Sequence, residues 1–471
     1  MRSHRFLPFL LLGLGGCHAP GEAVHAGLDV AVRVQVSVEQ DPTVAMSLWA
    51  NWETPEPGVS WVEYRVEGEA SQETSSTEVG TVHRVQLLGL PPDLPVKITV
   101  HTSGDDGDYV GDAIAITGSA PSDLPEFTLS VSKPSLMDAS RFALTTTMSP
   151  SGAWIQIIDR LGRPVWYHGG AGCFFGDAKF DVARGEFVIH SQSAEGSSIL
   201  RIDLTAPNER FLLPTKSIHH AVAVLPDGAV AYISEEARPW TFADGTDEVV
   251  FGDTVFELSA DGSTRQLFST WDWGEPQIYG MRDGIYGAAV DWTHANALSY
   301  LPDTDTLLLS LRNPAVVLEI GRDDGVVVAE YGGTGDDWGF AADTEPFSHQ
   351  HGVVMTPAGT LLMMSTPVSQ DGQLGSASVA IEYALDEARH ELVEVWRHGD
   401  ESDIQTVAHG GVARLPQGNT LVNWGDPIVL IREVQLTSEA VWEVEVRNAA
   451  ELDMSLHAVV PFSGFTMPVE D

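Results

Sequence analysis

The sequence predicts an all-β protein in which an N-terminal β-sandwich is followed by a β-propeller. Glycine is abundant, at 45 residues, and 27 prolines accompany it, a composition that favours turn-rich β structure over helices. The first part of the chain carries short alternating strands, and the remainder repeats one strand–turn–strand unit. A chain of 471 residues exceeds one ordinary core, so two or more domains are expected.

The N-terminus has the pattern of an export signal at residues 1–17. Arg2 and Arg5 precede an apolar run from Phe6 to Leu14, which is too short for a mature transmembrane helix. The run continues into Gly-Gly-Cys17, which resembles a bacterial lipobox, the motif whose cysteine is lipidated. Ordinary signal cleavage beside an incidental cysteine is the alternative interpretation.

A lipidated Cys17 predicts an exported protein anchored to the bacterial outer membrane, on its periplasmic or its outer face. His18, rather than an aspartate, follows this cysteine, which favours the outer membrane. Residues 18–26 predict a short tether, and membrane contact is expected only through the lipid anchor. The other cysteine, Cys173, would then have no partner for an intrachain disulfide.

The charge of the chain limits its ligands. Lys and Arg number 25 against 67 Asp and Glu, which gives a net charge of −42. Such a surface repels the phosphates of nucleic acids, so nucleic-acid binding is not expected. Any anionic ligand requires a site with local positive charge.

Residues 27–122 predict the β-sandwich. Valines alternate from Val30 to Val38, and further short strands follow at intervals typical of a sandwich. Trp52, the segment Val62-Glu-Tyr64 and the segment from His83 to Pro91 resemble the core tryptophan and the later strands of a fibronectin type III module. A linker rich in proline and serine, 119–123, ends the module.

The propeller is expected to span residues 128–471, because this part of the chain contains a repeated unit. One half of the unit is a histidine, an apolar run, a Pro-x-Gly turn and a strand; the other half is a pair of strands around an Asp/Gly turn. We count five or six such units. The histidines that begin the clearest copies, some with one or two inserted residues before the turn, are His220, His294, His351 and His409.

Equivalent residues of successive blades converge on the central channel of a propeller, so these histidines are expected to form a ring. Repetition of a structural, hydrogen-bonded histidine is the alternative. The chain after His294 is predicted to form a hairpin, and Arg312 lies at the end of its second strand. The hairpin would therefore bring Arg312 back beside His294. A buried arginine among histidines makes an anion site, because guanidinium offers paired donors to tetrahedral oxyanions. Asn296 follows His294 by two residues and faces the same side of a strand.

The two arms of this hairpin, Asp-Trp-Thr-His294-Ala-Asn296 and Ser-Leu-Arg312-Asn, resemble the signature hairpin of bacterial arylsulfate sulfotransferases. The pair Gln350-His351 resembles the segment that carries the nucleophilic histidine of that family, and His219-His220 resembles an earlier active-site segment. The resemblance runs from about residue 150 to the C-terminus. It implies a six-bladed, exported enzyme that needs no nucleotide sulfate donor, no cofactor and no metal.

The resemblance also implies a ping-pong reaction between small aryl sulfates and phenols. His351 would attack the sulfur and form a sulfohistidine, while His220, His294 and Arg312 act with it as catalytic residues. Asn296 and His219 would bind the substrate, and Asn296 could also orient a histidine. The chain departs from the family in the residues that follow His351 and His220, and it cannot form the disulfide of the best-known branch.

Two other functions remain open on the sequence. A surface lipoprotein with a non-catalytic propeller could serve adhesion or bind a glycan or another ligand; loss of Arg312 or His351 would favour it, and both residues are present. Several histidines around one axis could instead bind zinc or copper, although an arginine among them repels a cation. The sequence carries no signal for the oligomeric state.

Overall fold

A computed structural model describes residues 31–465 of the chain apart from 106, 194–195, 208–209, 280–288, 334–336, 368–376, 400–403, 407, 427, 447–453 and 463. The predicted signal with Cys17, the tether and the first residues of the predicted sandwich lie outside the described residues. No helix among the described residues is long and apolar enough to cross a membrane.

An N-terminal sheet of seven strands precedes the propeller. Its strands are β1 (Val32–Arg33), β2 (Val36–Gln40), β3 (Leu48–Val66), β4 (Gln72–Glu73), β5 (Gly80–Leu87), β6 (Pro95–Gly104) and β7 (Gly107–Ile116). The first half of β3 pairs with β2 and β5, and its second half pairs with β6. The register shifts near Gly58, where a Cβ would lie 2.5 Å from the carbonyl oxygen of Ser103. Trp52 and Val62, from the two halves of β3, share one core. The fibronectin type III assignment stays a prediction.

Short strands form nearly all of the regular secondary structure in the remaining described chain. They are β8 (Phe127–Ser132), β9 (Phe142–Ser149), β10 (Gly152–Asp159), β11 (Pro164–Ala171), β12 (Phe174–Asp181), β13 (Glu186–Ser193), β14 (Gly196–Asp203), β15 (Arg210–Pro214), β16 (Ile218–Val224), β17 (Val230–Thr241), β18 (Asp247–Leu258), β19 (Thr264–Ser269), β20 (Val290–Asp291), β21 (Ala295–Leu301), β22 (Thr306–Leu311), β23 (Val316–Gly321), β24 (Val327–Gly332), β25 (Gly339–Phe340), β26 (His351–Met355), β27 (Leu361–Ser365), β28 (Val379–Asp386), β29 (Glu391–His398), β30 (Gly411–Arg414), β31 (Thr420–Trp424), β32 (Leu430–Val434), β33 (Ala440–Val446) and β34 (Ser455–Phe462). One helical turn, α1 (Thr270–Trp273), follows β19, and the side chain of Ser269 caps its N-terminus.

These strands make six four- or five-stranded sheets in the described part of the chain, so the predicted all-β fold and the six-bladed propeller are confirmed. Blade 1 contains β9–β11 and β34, blade 2 contains β12–β15, and blade 3 contains β16–β20. Blade 4 contains β21–β24, blade 5 contains β25–β29, and blade 6 contains β30–β33 with β8. The sheet order makes β34, β12, β16, β21, β26 and β30 the inner strands, and each of them contacts the next around the ring.

Strands from both ends of the propeller close the circle. β34, the last strand, pairs with β9 and forms the inner edge of blade 1, and β8, the first, pairs with β33 and forms the outer edge of blade 6. Apolar side chains fill the space between neighbouring blades; Trp166 of blade 1 packs on Phe187 of blade 2 with ring centroids 4.6 Å apart.

The Pro-x-Gly turns that the sequence repeats link the inner strand of a blade to the next strand. In three copies the glycine N–H donates to the carbonyl three residues earlier at 2.9 Å, and the glycine has positive φ. These glycines are Gly228, Gly359 and Gly418, with φ of 81°, 74° and 100°. Glycine adopts this left-handed conformation without steric cost, which explains its recurrence.

The N-terminal sheet is docked against blade 1. Val44 and Leu88 belong to the same apolar cluster as Phe142 and Phe462 of the propeller, and Arg163 of blade 1 forms an ion pair with Glu69 at 2.5 Å. Phe462 lies at the end of β34, whereas the repeated histidines lie at the starts of the inner strands. The docked sheet is therefore at the opposite end of the propeller from those histidines.

Candidate active site

The histidines converge at the starts of the inner strands. A cavity of about 540 Å³ lies between these strands, and its lining includes His220, Asn296, His351 and His409. Further along, the lining is mainly of small and apolar side chains. His294 reaches the same group, since its ring centroid lies 4.9 Å from that of His220. Four blades thus deliver one histidine each to a single place.

Local backbone distortion aims these side chains. His220, His294 and His409 have φ of 53°, 47° and 63°, and in the His351 copy the next residue, Gly352, has φ of 61°. The strand register shifts at the same places in three of these blades, as in a β-bulge. A left-handed non-glycine residue costs about 1–3 kcal/mol, and such residues cluster at functional sites.

His220 is backed by a buried network. His219 Nδ1 lies 2.7 Å from His220 Nδ1, and His219 Nε2 lies 2.9 Å from Asp253 Oδ1. Asp253 Oδ2 accepts hydrogen bonds from Thr293 Oγ1 at 2.5 Å and from Ala295 N at 2.7 Å. His219 is therefore turned away from the cavity, behind His220. It was predicted to bind substrate, and in the structure both of its ring nitrogens have protein partners.

The hairpin of blade 4 brings Arg312 beside His294. The main-chain N–H of Arg312 donates to the His294 carbonyl at 3.2 Å. Arg312 Nη1 donates to Asn313 Oδ1 at 3.0 Å, and Asn313 Nδ2 donates to the Asp291 carbonyl at 2.9 Å. The Asp291 carboxylate holds His294 Nδ1 through a short hydrogen bond. Arg312 is buried and lies outside the lining of the cavity, next to the histidine that it flanks in sequence.

Asn296 ties His351 to blade 4. Its Nδ2 donates to the carbonyl of Gln350 at 2.7 Å, and its Oδ1 accepts from Ser310 Oγ at 2.8 Å. Gln350 is fully buried, and its Nε2 donates to the carbonyl of Leu311 at 2.9 Å. Asn296 lines the cavity, as expected of a substrate-binding residue, and it also fixes the residue that precedes His351.

Burial lowers the pKa of two of the four converging histidines. Burial, and then the neighbouring histidines, hold the pKa of His220 well below its usual value. Burial, followed by the charge of His294, lowers the pKa of His409 to about 4. Burial raises the pKa of Asp253, but the hydrogen bond and charge of His219 and its other two donors outweigh it, and the pKa is lowered. Ionised Asp253 thus lies behind His220, with His219 between them.

The structure adds residues that the sequence analysis did not single out. His349 has φ of 44°, and burial, then Arg312 and His294, lowers its pKa to about 4. Asp291 lies three residues before His294, so the Asp-Trp-Thr-His segment contained it, but the sequence did not reveal that its carboxylate holds His294. Asp253 lies on β18 without a motif around it, and only the fold brings it to His219. Among the described residues no group of three or more His, Cys, Asp or Glu side chains could hold a metal ion.

Comparison with known proteins identifies the family. A family model described as Arylsulfotransferase (ASST) matches residues 132–458, which is more than half of the chain. The chain belongs to the arylsulfotransferase family. This membership supports aryl sulfotransferase activity in general, with aryl sulfates and phenols as the matching classes of substrate. A search of curated proteins gave no match.

Solved structures resemble the chain only distantly. TolB from Acinetobacter baumannii has 10% identity, covers 82% of this chain and 80% of its own, and gives a TM-score of 0.42. The nidogen/laminin complex has 11% identity, 68% and 99% coverage, and a TM-score of 0.41. A functionally unknown protein from Desulfotomaculum acetoxidans DSM 771 has 9% identity, 77% and 95% coverage, and a TM-score of 0.39. Similarities this low carry no argument about function.

Proposed function

We propose that this arylsulfotransferase moves a sulfuryl group from an aryl sulfate to a phenol through a sulfohistidine at His351. The observation that supports this most is the convergence of His220, His294 and His351 around one cavity, with Arg312 beside His294. Most of the other residues that line the cavity are small or apolar, which suits an aryl ring.

The chemistry requires a nucleophile and positive donors. Sulfuryl transfer resembles phosphoryl transfer: the transition state is loose, and charge develops on the equatorial oxygens and on the leaving phenolate. An imidazole nitrogen at His351 attacks the sulfur, the bond between sulfur and the aryl oxygen breaks, and a phenolate departs with the electron pair of that bond. Arg312 supplies fixed positive charge, and His294, held by Asp291, supplies a donor to the transferring group.

The second half of the reaction reverses the first. An acceptor phenol attacks the sulfur, the bond between sulfur and His351 breaks, and the imidazole is restored. Asn296 contributes by holding the Gln350 carbonyl, which limits the movement of the adjacent nucleophile.

Turnover of 4-nitrophenyl sulfate with and without added phenol tests this function. We expect release of nitrophenolate that depends on the phenol and is lost in His351→Ala, with His83→Ala of the N-terminal sheet as a control for removing a buried histidine. Release without dependence on an acceptor would indicate hydrolysis. No release from the folded protein with a range of aryl sulfates would contradict the proposed function.

The location of the protein is a further proposal, supported by the sequence of residues 1–17 alone. An exported, lipid-anchored protein incorporates labelled palmitate, and Cys17→Ser abolishes that incorporation. Secretion of the unlabelled wild type into the periplasm as a soluble protein would contradict the anchor.

A further inference from the structure

We propose that Asp253 and His219 form a proton relay through which His220 acts as the general acid and base of the transfer reaction. This inference rests on the proposed function, which gives the reaction a leaving phenolate that must gain a proton. His219 and Asp253 are nearly fully buried, with side-chain exposures of 8% and 4%. They touch the reaction only through His220, so they are positioning residues.

The surroundings of Asp253 determine the direction of its hydrogen bond with His219. Three groups approach the carboxylate: His219 Nε2, Thr293 Oγ1 and the main-chain N–H of Ala295. The N–H of Ala295 can only donate, and a carboxylate that receives several donors stays ionised. His219 Nε2 therefore carries a hydrogen and donates it to Asp253.

The contact between His219 and His220 then has two possible states. The two Nδ1 atoms lie 2.7 Å apart, so one proton must lie between them. If His219 is an imidazolium, it donates to His220, and the proton of His220 is on Nε2. If His219 is neutral, it accepts from His220, and Nε2 of His220 carries a lone pair. His220 lines the cavity and turns its Nδ1 toward His219. The position of the proton between the two Nδ1 atoms therefore decides whether Nε2 of His220 donates or accepts a hydrogen bond.

The charges around His219 favour the state in which His219 is an imidazolium before substrate reacts. Burial lowers the pKa of His219, but the hydrogen bond and charge of Asp253 on β18, together with Glu235 on β17 and Asp291 on β20, outweigh it and the pKa is raised. His190 on β13 also packs nearby, and burial, then the charge of His219, lowers its pKa to about 4. The pKa of His220 is held low, so the proton belongs to His219, and His220 presents an N–H to the cavity.

The relay balances both half-reactions. As the sulfur–oxygen bond breaks, its electron pair goes to the phenol oxygen, which takes the Nε2 proton of His220. The Nδ1 proton of His219 passes to His220 Nδ1, and His219 becomes neutral. In the second half the acceptor phenol gives its proton to His220 Nε2, the shared proton returns to His219, and the bond between sulfur and His351 breaks. No oxidant, reductant or further reactant is needed.

The leaving group tests the role of the relay in turnover. Phenyl sulfate releases a basic phenolate that needs a proton, whereas 4-nitrophenyl sulfate releases a stable phenolate. For His219→Gln we expect the single-turnover rate of phenol release from phenyl sulfate, measured without an acceptor, to fall by about 10²–10⁴-fold, the range of general acid–base catalysis. The same rate with 4-nitrophenyl sulfate should fall much less. His190→Gln removes a buried histidine beside the relay, and it should lower the rate with both substrates alike and only slightly. Equal losses for both substrates in His219→Gln, or no loss for either, would overturn the relay.

A second measurement reports the proton arrangement without any substrate. In ¹⁵N-histidine-labelled protein near neutral pH, we expect both nitrogens of His219 to be protonated and His220 to carry its proton on Nε2. In Asp253→Asn the pKa of His219 should fall, and His220 should shift toward the Nδ1-protonated form. A neutral His219 in the wild type, or an unchanged spectrum in the variant, would refute the relay. If the wild type transfers no sulfuryl group, the proposed function fails and the relay loses its catalytic role, while this spectrum still decides the proton arrangement.

Discussion

Replacement of Asn296 by alanine tests whether this residue positions the nucleophile. The substitution removes the 2.7 Å bond to the Gln350 carbonyl and the 2.8 Å bond from Ser310 Oγ. A buried hydrogen bond contributes about 1 kcal/mol, and a partner left unsatisfied adds about 1–3 kcal/mol. We expect the free energy of unfolding to fall by roughly 2–4 kcal/mol. Because misplacement of a reacting group by about 1 Å can cost 10²-fold, kcat should fall by about that factor.

Ser299→Ala is a matched control for this substitution. Ser299 Oγ donates to the Val353 carbonyl at 2.8 Å, which is the same kind of bridge between the same two inner strands, three residues further from the histidines. In Ser299→Ala the free energy of unfolding should fall by about 1 kcal/mol, with little change in kcat. Urea denaturation and steady-state kinetics measure both quantities. If Asn296→Ala raised only KM, Asn296 would bind the substrate directly; if it lost stability but kept kcat, the bond to Gln350 would not position His351.

Two further predictions concern charge. Arg312→Gln should lower kcat by about 10²–10³-fold, the cost of one electrostatic donor, and should raise the pKa of His349, which Arg312 helps to lower; an unchanged kcat would contradict this role. His190 has a pKa of about 4 in the folded protein and about 6.5 in the unfolded chain, so between these values only the unfolded state binds the proton and stability is lost as the pH falls from about 6.5 to about 4. At pH 5 the buried His190 lowers the free energy of unfolding by about 2 kcal/mol. In His190→Gln the free energy of unfolding should therefore fall by about 2 kcal/mol less between pH 7 and pH 5 than in the wild type. An identical pH dependence in both proteins would refute this prediction.

The propeller could be predicted because its information is local and repeated. Each Pro-x-Gly turn carries its own conformational requirement, and the spacing from histidine to turn recurs in copy after copy. The closure by β8 and β34 could not be predicted, since it pairs segments from opposite ends of the domain without a local signal. The docking of the N-terminal sheet on blade 1 depends on the same kind of distant contact.

The candidate site was predictable where a motif held its residues. The hairpin pattern placed Arg312 near His294, and the repeat placed His220 and His351 at equivalent positions. The sequence leaves open whether His219 or His220 faces the cavity, although the spacing that His220 shares with His351 favours His220. The structure places His220 in the lining, at a left-handed position in a bulged strand. Asp253 reaches the site from another strand of blade 3, so only the folded chain shows its contact with His219. The catalytic roles of these residues stay predictions.

A single-turnover experiment tests the central claim most directly. The purified protein is mixed with excess 4-nitrophenyl sulfate in the absence of an acceptor, quenched, and digested for mass spectrometry. The account predicts a burst of one nitrophenolate per active chain and the added mass of one SO₃ group on the peptide that contains His351, which added phenol then discharges. Turnover with phenol but without a burst, or an SO₃ group on another residue, would contradict transfer through His351.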